Sequence, residues 1–301
     1  MGCEEFIKTL GNPIEDTDEE TFLLFTSHKS SSDLGFIDPT APTLELSVAG
    51  HDLTIDQSPT LLTSQRKEGT TGAVVWRITP LVAEWLASST CPLFNAGILS
   101  TESTILELGC GISGILPLAI APKVSQYIAT DQDYVFKVLR RNIEANKAAC
   151  RKPGRTSKGA NVGPRSTIDN VSLVTLDWET SSMASLSSLL PRESSIDLVL
   201  ACDCIYNELL IAPFVRTCFE ICQLRAESER PAFCLIAQQL RSDEVFSAFL
   251  SAFMASFHVW RVPEDFCGDA LSVNNGYVLH LGILKSEKFD IAATYEKIGT
   301  T

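Results

Sequence analysis

A glycine-rich turn between an apolar strand and an apolar helix constrains the fold of this chain more than any other feature. Residues 104–108 (TILEL) form a short apolar run with one carboxylate, and Gly109, Gly111 and Gly114 follow before a second apolar run at residues 115–121. This order predicts a strand, a sharp turn and a helix. Because glycine has no side chain, a ligand can approach the backbone of the turn closely.

Two carboxylates near this turn indicate which ligand it holds. Asp131 ends a further run, residues 127–131 (YIATD), roughly 20 residues after the turn, where an acidic residue commonly binds ribose hydroxyls. The same spacing fits a dinucleotide, so a nicotinamide dehydrogenase stays open as an alternative. Glu107 lies just before the first glycine, where a carboxylate disfavours a pyrophosphate and suits a ligand with an ammonium group. S-adenosylmethionine has that ammonium, a ribose diol and no phosphate, and we expect it as the cofactor.

The hydrophobic pattern predicts alternating strands and helices over most of the chain. Residues 43–56 alternate apolar and polar side chains around Ala49 and Gly50, which is typical of a β-hairpin. Helices are predicted at 78–87, 115–121, 134–147, 209–224 and 243–255, and strands at 104–108, 126–130, 171–176, 196–202 and 232–237. This alternation favours a mainly parallel sheet with helices on both faces. Two final strands, at 257–262 and 277–284, have no helical pattern between them and should close the sheet as an antiparallel pair.

Composition restricts the function classes. The chain has 37 acidic and 24 basic residues, a net charge of −13. This argues against direct nucleic-acid binding, because phosphate contacts need clustered Lys and Arg, and it favours a basic protein partner. Ten cysteines form no C-x-x-C pair and four histidines are scattered, so we predict no metal site.

The length of the apolar runs and the order of the first residues bear on where the protein is located. No apolar run approaches the ~18 residues of a membrane span. The first residues also lack the basic and then apolar order of a secretory signal. We expect a cytoplasmic protein with no membrane association, and nuclear entry stays open.

Two further strand ends carry polar or aromatic residues that a parallel sheet would aim at a ligand crevice. Trp178 ends the segment LDW, and Asp203 and Tyr206 lie in the segment CDCIY that follows a nearly all-apolar strand. Trp178 could stack on an adenine or belong to the core. Asp203 could instead cap a helix, and Tyr206 could be structural.

Taken together, these segments resemble the seven-β-strand protein-lysine methyltransferases. The resemblance is carried by the glycine motif, the final strand pair, residues 72–76 (GAVVW), residues 176–178 (LDW) and residues 203–206 (DCIY). Within the family, the chain is most similar to the fungal ribosomal lysine N-methyltransferase type that modifies a large-subunit ribosomal protein. The likeness covers roughly residues 40–285. Its Asp-x-x-Tyr signature is fairly specific, whereas nearly all methyltransferases of the fold share the glycine turn.

The resemblance implies an α/β fold: a Rossmann-like, doubly wound, seven-stranded sheet of the class I methyltransferase type, with an N-terminal β-hairpin extension. Asp203 and Tyr206 would face the target lysine as the catalytic pair. Glu107 would lie beside the methionine ammonium, and Asp131 would bind the ribose hydroxyls. Related enzymes often have Ala where Cys202 stands. The implied S-adenosylmethionine site consists of Trp76, Glu107, Gly109, Cys110, Gly111, Asp131, Trp178 and Cys202.

The implied activity is methyl transfer to a lysine of a large-subunit ribosomal protein by a monomeric enzyme. Alternatives stay open. The target could be a lysine of a non-ribosomal protein, or the chain could be an inactive cofactor-binding scaffold. A small-molecule or nucleic-acid methyltransferase is disfavoured, because we would expect a basic face or an Asn-Pro-Pro-Tyr-like end to the fourth strand.

The chain divides into four predicted regions. Residues 1–40 form an acidic, partly flexible N-terminal segment that includes the run EDTDEE, and residues 41–75 form the hairpin extension. The methyltransferase domain covers residues 76–290. It is interrupted at residues 148–170 by a basic insertion rich in Gly, Pro and Ser, which predicts a flexible surface loop. Residues 291–301 form a C-terminal tail.

Overall fold

A seven-stranded mixed sheet forms the centre of the molecule. The computed structural model describes residues 2–27, 34–64, 70–150, 170–181, 196–225 and 230–285. Its strands are β1 (Thr43–Val48), β2 (His51–Asp56), β3 (Thr104–Leu108), β4 (Gln126–Asp131), β5 (Val171–Thr175), β6 (Leu198–Cys202), β7 (Phe233–Gln239), β8 (Phe257–Arg261) and β9 (Tyr277–Leu284). Strands β3 to β9 form the sheet in the order β5-β4-β3-β6-β7-β9-β8.

The strand directions confirm the predicted topology. Strands β3 to β7 pair in parallel, and β9 pairs antiparallel with both β7 and β8. The link between β8 and β9 contains only single helical turns, among them Glu264–Cys267, too short to carry a crossover to a parallel neighbour. Strand β7 runs two residues past its predicted end, to Gln239, and this extension positions the residues that follow it beside the site.

Helices cover both faces of the sheet. They are α1 (Cys3–Thr9), α2 (Thr17–Ser27), α3 (Pro59–Leu62), α4 (Ile78–Ala87), α5 (Pro92–Asn95), α6 (Ile115–Ile120), α7 (Phe136–Asn146), α8 (Glu208–Gln223), α9 (Asp243–Ser256) and α10 (Glu264–Cys267). The helix predicted from Tyr134 begins at Phe136, after a 3-10 turn over Asp133–Val135.

Alternating side chains of the strands divide the core into two layers. Ile105 packs with the hairpin and helices α4, α6 and α7, whereas the next residue, Leu106, packs with α8 and α9. On the next strand, Tyr127 lies in the same layer as Ile105, and Ile128 lies in the same layer as Leu106. Because both faces of a central strand are covered, β3 and β6 are apolar throughout apart from Thr104 and Glu107.

The predicted hairpin is present as β1 and β2, joined by Ala49 and Gly50. Both turn residues have positive φ angles, +52° and +76°, which match the tight turn that the right-handed twist of a hairpin favours. Helix α7 holds the hairpin through Asn142 and Asn146, whose side chains bond the backbone of β2.

The N-terminal segment contains two helices that the sequence pattern did not predict. Phe6 of α1 and Leu24 of α2 are buried against the main domain. Within the acidic run, Glu20 is buried beside His280 and Arg261, whereas Asp18 and Glu19 are exposed.

Two predicted regions lie largely beyond the part of the chain that the structure describes. These are the insertion at residues 148–170, of which residues 151–169 are not described, and the tail at residues 291–301. No helix among the described residues is both long and apolar enough to cross a bilayer.

Candidate active site

The carboxyl ends of β3, β4, β5 and β6 open into a cavity of about 550 Å³. This volume is in the range of small-molecule and cofactor sites. All ten residues that the sequence predicted for the site line the cavity: Trp76, Glu107, Gly109, Cys110, Gly111, Asp131, Trp178, Cys202, Asp203 and Tyr206. Nine of them converge because parallel strands bring their carboxyl ends to the same edge of the sheet, and Trp76 reaches the cavity from the segment just before α4.

The glycine turn after β3 has the conformation that its sequence predicted. Gly109, Gly111 and Gly114 all have φ angles between +60° and +69°, where a residue with a side chain is strained. At Gly109 space is limiting as well, because a Cβ atom would lie 2.8 Å from Cys204 Sγ and 3.2 Å from the Trp178 ring. The turn is also anchored to β4, since the Cys110 amide donates to the Thr130 carbonyl at 3.0 Å.

Asp131 joins the end of β4 to the glycine turn. Its Oδ2 accepts from the Gly111 amide at 2.8 Å and its Oδ1 from the Gln132 amide at 2.7 Å. Burial raises the pKa of Asp131 to about 6, against the opposing effect of these two hydrogen bonds. A carboxylate oxygen can accept more than one hydrogen bond, so Asp131 can hold the turn and still bind a hydroxyl in the cavity.

Glu107 places a second carboxyl group at the bottom of the cavity. It is 2% exposed, and its Oε2 accepts from the Tyr127 hydroxyl at 2.8 Å. Burial raises its pKa to about 8, the Tyr127 hydrogen bond lowers it and the Asp131 charge raises it. Among the described residues no Lys or Arg forms an ion pair with it. A buried carboxyl of this kind suits a cationic ligand group, because buried charges are stable only when paired.

Two tryptophans form aromatic walls. Trp178 packs edge-on against Phe214, with ring centroids 5.1 Å apart. Trp76 lies 4.4 Å from the Phe36 ring, and its indole N–H donates to the Thr71 carbonyl at 3.1 Å. The contact of each indole with a neighbouring ring fixes its orientation, and both indoles line the cavity.

Asp203 and Tyr206 follow β6 at the side of the cavity opposite Asp131. Tyr206 is 39% exposed, and its hydroxyl accepts from the Thr71 hydroxyl at 3.3 Å. Burial of the remaining surface raises the pKa of Tyr206, so the phenol keeps its proton at neutral pH. Asp203 is 5% exposed and has a positive φ of +58°, a conformation that Asp tolerates better than most residues.

Sequence reasoning missed the partner of Asp203. Arg241 binds the Asp203 carboxylate through two guanidinium nitrogens and lies over the Trp76 ring, 5.1 Å from its centroid. The sequence feature that could have indicated Arg241 is a basic residue soon after an apolar strand. The strand was predicted to end at residue 237, which left Arg241 in a loop with no assigned position. Phe36 had no signal, because it precedes every predicted element.

Cys202 and Cys204 line the cavity as buried thiols. The Cys204 thiol donates to the Leu108 carbonyl at 3.2 Å, which ties the loop after β6 to the end of β3. Burial raises the pKa of both thiols well above the usual range. Because thiolates are the reactive form of cysteine, we assign neither a nucleophilic role.

Comparison with known proteins gives one family and several relatives. A family model described as lysine methyltransferase matches residues 55–254. Ribosomal lysine N-methyltransferase 5 of Vanderwaltozyma polyspora is 32% identical, over 77% of this chain and 86% of the relative. The protein of the same name from Zygosaccharomyces rouxii is 30% identical, over 69% of this chain and 72% of the relative.

Two further matches are more limited. Diaminohydroxyphosphoribosylamino-pyrimidine deaminase of Schizosaccharomyces pombe is 29% identical over 82% of this chain, but the match covers only 53% of that protein. An rRNA methylase structure from Streptococcus thermophilus superposes with a TM-score of 0.37 and 13% identity, over 71% of this chain and 100% of that chain. The structural likeness is too distant to bear on the site.

Proposed function

The chain belongs to the lysine methyltransferase family, and we propose that its substrate is a lysine of a large-subunit ribosomal protein. The family makes the chain an S-adenosylmethionine-dependent lysine methyltransferase. One observation carries the assignment of the site: the predicted cofactor residues and the Asp203-x-x-Tyr206 signature line the same cavity.

The described residues fit S-adenosylmethionine group by group. Glu107 offers a buried carboxyl for the methionine ammonium, and Asp131 has acceptor capacity for the ribose hydroxyls. Trp178 offers an aromatic face for the adenine. Gly109 lets the turn pack closely against Cys204 and Trp178, where a side chain would not fit. A cation, a diol and a planar base therefore each have a chemically matched neighbour.

When bound, the cofactor would supply a sulfonium methyl group: a neutral lysine amine would form the new N–C bond as the C–S bond breaks, with the thioether product S-adenosylhomocysteine as the leaving group and the positive charge passing to the methylated amine. The chain must therefore hold a lysine amine neutral and in line. A free lysine has a pKa near 10.4, so deprotonating it at pH 7 costs about 4–5 kcal/mol. Burial beside Trp76 and Tyr206 lowers this cost, because desolvation disfavours the ammonium form. Alignment of the amine by the cavity walls supplies the remaining acceleration, and no covalent intermediate on the protein is needed.

Charge supports a basic protein as the substrate. The chain has a net charge of −13, and Asp177 and Glu179 line the cavity. Acidic surfaces attract cationic partners and speed their encounter, an effect that salt screens over ~8–10 Å at near-physiological ionic strength. The relatives named as ribosomal lysine methyltransferases support a ribosomal target.

Mass spectrometry of ribosomal proteins from cells with and without the gene tests this proposal. We expect one methyl-lysine of a large-subunit protein to be lost in the deletion cells and restored by the parental gene. Restoration should fail with Tyr206→Phe, although purified Tyr206→Phe protein should bind the cofactor with near-parental affinity, because Tyr206 acts on the lysine side. Identical ribosomal methylation in both cell types would remove the ribosomal assignment. Loss of a methyl mark on another protein would change the substrate and keep the chemistry.

We also expect cofactor binding to release about one proton at pH 7. Glu107 has a pKa of about 8 in the free protein, so it is mostly protonated at pH 7 and must ionise to pair with the methionine ammonium. Affinity should accordingly rise as the pH increases from 6 to 8. Calorimetry in buffers of different ionisation enthalpy measures the proton count.

The control ligand for this measurement is 5′-methylthioadenosine, which keeps the nucleoside and lacks the ammonium. It should release almost no proton, and Glu107→Gln should abolish the release with S-adenosylmethionine. Equal proton release by the two ligands would separate Glu107 from the ammonium site.

A further inference from the structure

Arg241 binds groups from three separate parts of the chain. Its Nη1 donates to Asp203 Oδ1 at 2.6 Å, and its Nη2 donates to Asp203 Oδ2 and, at 3.0 Å, to Gln239 Oε1. Its Nε donates to the Leu34 carbonyl at 3.1 Å. Every guanidinium nitrogen is therefore engaged, and the side chain is only 20% exposed.

The same guanidinium also contacts the aromatic wall of the cavity. It lies over Trp76, whose other neighbour is Phe36. Gly35, with a φ of +88°, lies so close that a Cβ atom there would overlap Gln239 and Arg241. Residues 34–36 are thus packed across Arg241, and the cation connects Asp203 on the lysine side with Trp76.

Both carboxylate oxygens of Asp203 are occupied by Arg241, and the Gln239 amide makes a further contact with Oδ1 at 3.4 Å. The Asp203 amide also bonds the Ala237 carbonyl at 2.8 Å, which fixes the backbone. Bidentate guanidinium–carboxylate pairs are among the stronger hydrogen-bonded contacts, and breaking a buried one is strongly destabilising. A lysine ammonium is therefore a poor competitor for Asp203.

We propose that Arg241 is a positioning residue that stays paired with Asp203 during methyl transfer and balances its charge, so that the target lysine is not held as an ammonium. This rests on the proposed function. An unpaired carboxylate beside the amine would favour the ammonium form and raise the lysine pKa, which opposes the reaction. The pair leaves Asp203 as part of the wall rather than as a base, and Arg241 holds Trp76 in place through the same group.

Other ionisable groups face the same cavity and act on the lysine in both the parental protein and the variants. They are Glu107, Asp131, Asp177, Glu179, Tyr134 and Tyr206, together with the thiols of residues 110, 202 and 204. Removing Arg241 adds an unpaired carboxylate to this predominantly acidic set. The resulting change should therefore raise the pH at which the lysine becomes reactive.

The test compares Arg241→Gln, Arg241→Lys and the double variant Asp203→Asn with Arg241→Gln. Initial methyl transfer from saturating labelled S-adenosylmethionine into protein extract of cells lacking the gene is followed from pH 6.5 to 10. For Arg241→Gln we expect the initial rate at pH 7 to fall at least tenfold. The midpoint of the rate-against-pH curve should move up by about one unit, since one pKa unit corresponds to a tenfold change in the neutral fraction of the lysine. Arg241→Lys should recover part of the loss. The double variant should return the midpoint to its parental position.

The outcomes separate this inference from the proposed function. If the parental protein transfers no methyl group, the proposed function fails, and the inference fails with it. If the parental protein is active and Arg241→Gln loses the same fraction of the methyl-transfer rate at every pH, Arg241 is merely structural. Faster transfer by Arg241→Gln at pH 7 would show that Arg241 competes with the lysine, and would also overturn the inference. If Arg241→Gln does not fold in a thermal melt, the double variant decides: a parental midpoint supports the inference, and loss at every pH overturns it.

Discussion

Replacing Asp131 by alanine should weaken S-adenosylmethionine binding by roughly 10- to 150-fold, which corresponds to about 1.5–3 kcal/mol for a charge-assisted hydrogen bond. The structure gives two reasons for a value near the upper end. The variant loses the predicted ribose contact, and it also loses the bond from the Gly111 amide that holds the glycine turn. Titration calorimetry with the purified protein measures the affinity directly.

The matched control for this experiment is Asp133→Ala. Asp133 lies two residues further along the chain, is exposed and does not line the cavity. The Asp133→Ala substitution removes one negative charge close to Asp131 in the sequence, and cofactor affinity should stay within about twofold of the parental value. Unchanged affinity in Asp131→Ala, with a normal thermal melt, would contradict the ribose assignment.

The geometry of the proposed cofactor side of the cavity was predictable because its determinants are local. A glycine turn that follows an apolar strand has few conformations open to it, and Gly109 has both the positive φ and the close neighbours that exclude a side chain. Asp131 then falls at the end of the next strand, so the parallel sheet itself brings it to the turn. Pattern and topology together suffice for this half of the cavity.

The proposed lysine side of the cavity was only half predictable, because its electrostatics depend on contacts between distant residues. Asp203 could be placed at a strand end, but its ion pair with Arg241 joins residues 38 positions apart, and Arg241 in turn binds the Leu34 carbonyl. No local periodicity encodes such a contact. The expected role of Asp203, facing the lysine, therefore needs the refinement that its carboxylate is already bound.

The acidic N-terminal run shows the same limit. Six residues, EDTDEE, predicted a solvated segment, and Asp18 and Glu19 are indeed exposed. Glu20, in the same run, is buried beside His280, which is 260 positions away. Charge patterning describes the average surface of a segment. It does not identify the one residue of the run that is buried, because burial depends on the distant residues that the helix packs against.

Replacing Asn142 by leucine should lower the free energy of unfolding by about 3–5 kcal/mol, the largest effect that we expect on stability. Asn142 is 1% exposed, and its amide bonds three backbone groups. Its Oδ1 accepts from the Asp56 amide at 2.9 Å, and its Nδ2 donates to the carbonyls of Asp56 at 2.9 Å and Ile112 at 2.7 Å. Leucine has a similar size but cannot replace these bonds, and each unsatisfied buried polar group costs about 1–3 kcal/mol.

The effect should reach the cofactor site, because Ile112 belongs to the glycine turn and Asp56 ends the hairpin. The melting temperature should fall by roughly 5–8 °C for a chain of 301 residues. The matched control is Arg141→Ala, which removes an ion pair of the preceding residue to the same Asp56. That pair is exposed, so its loss should change stability by less than about 1 kcal/mol. If the two variants had equal melting temperatures, the hairpin would not be held by Asn142. A large loss confined to Asn142→Leu would show that the hairpin extension and the glycine turn are stabilised through one buried side chain of α7.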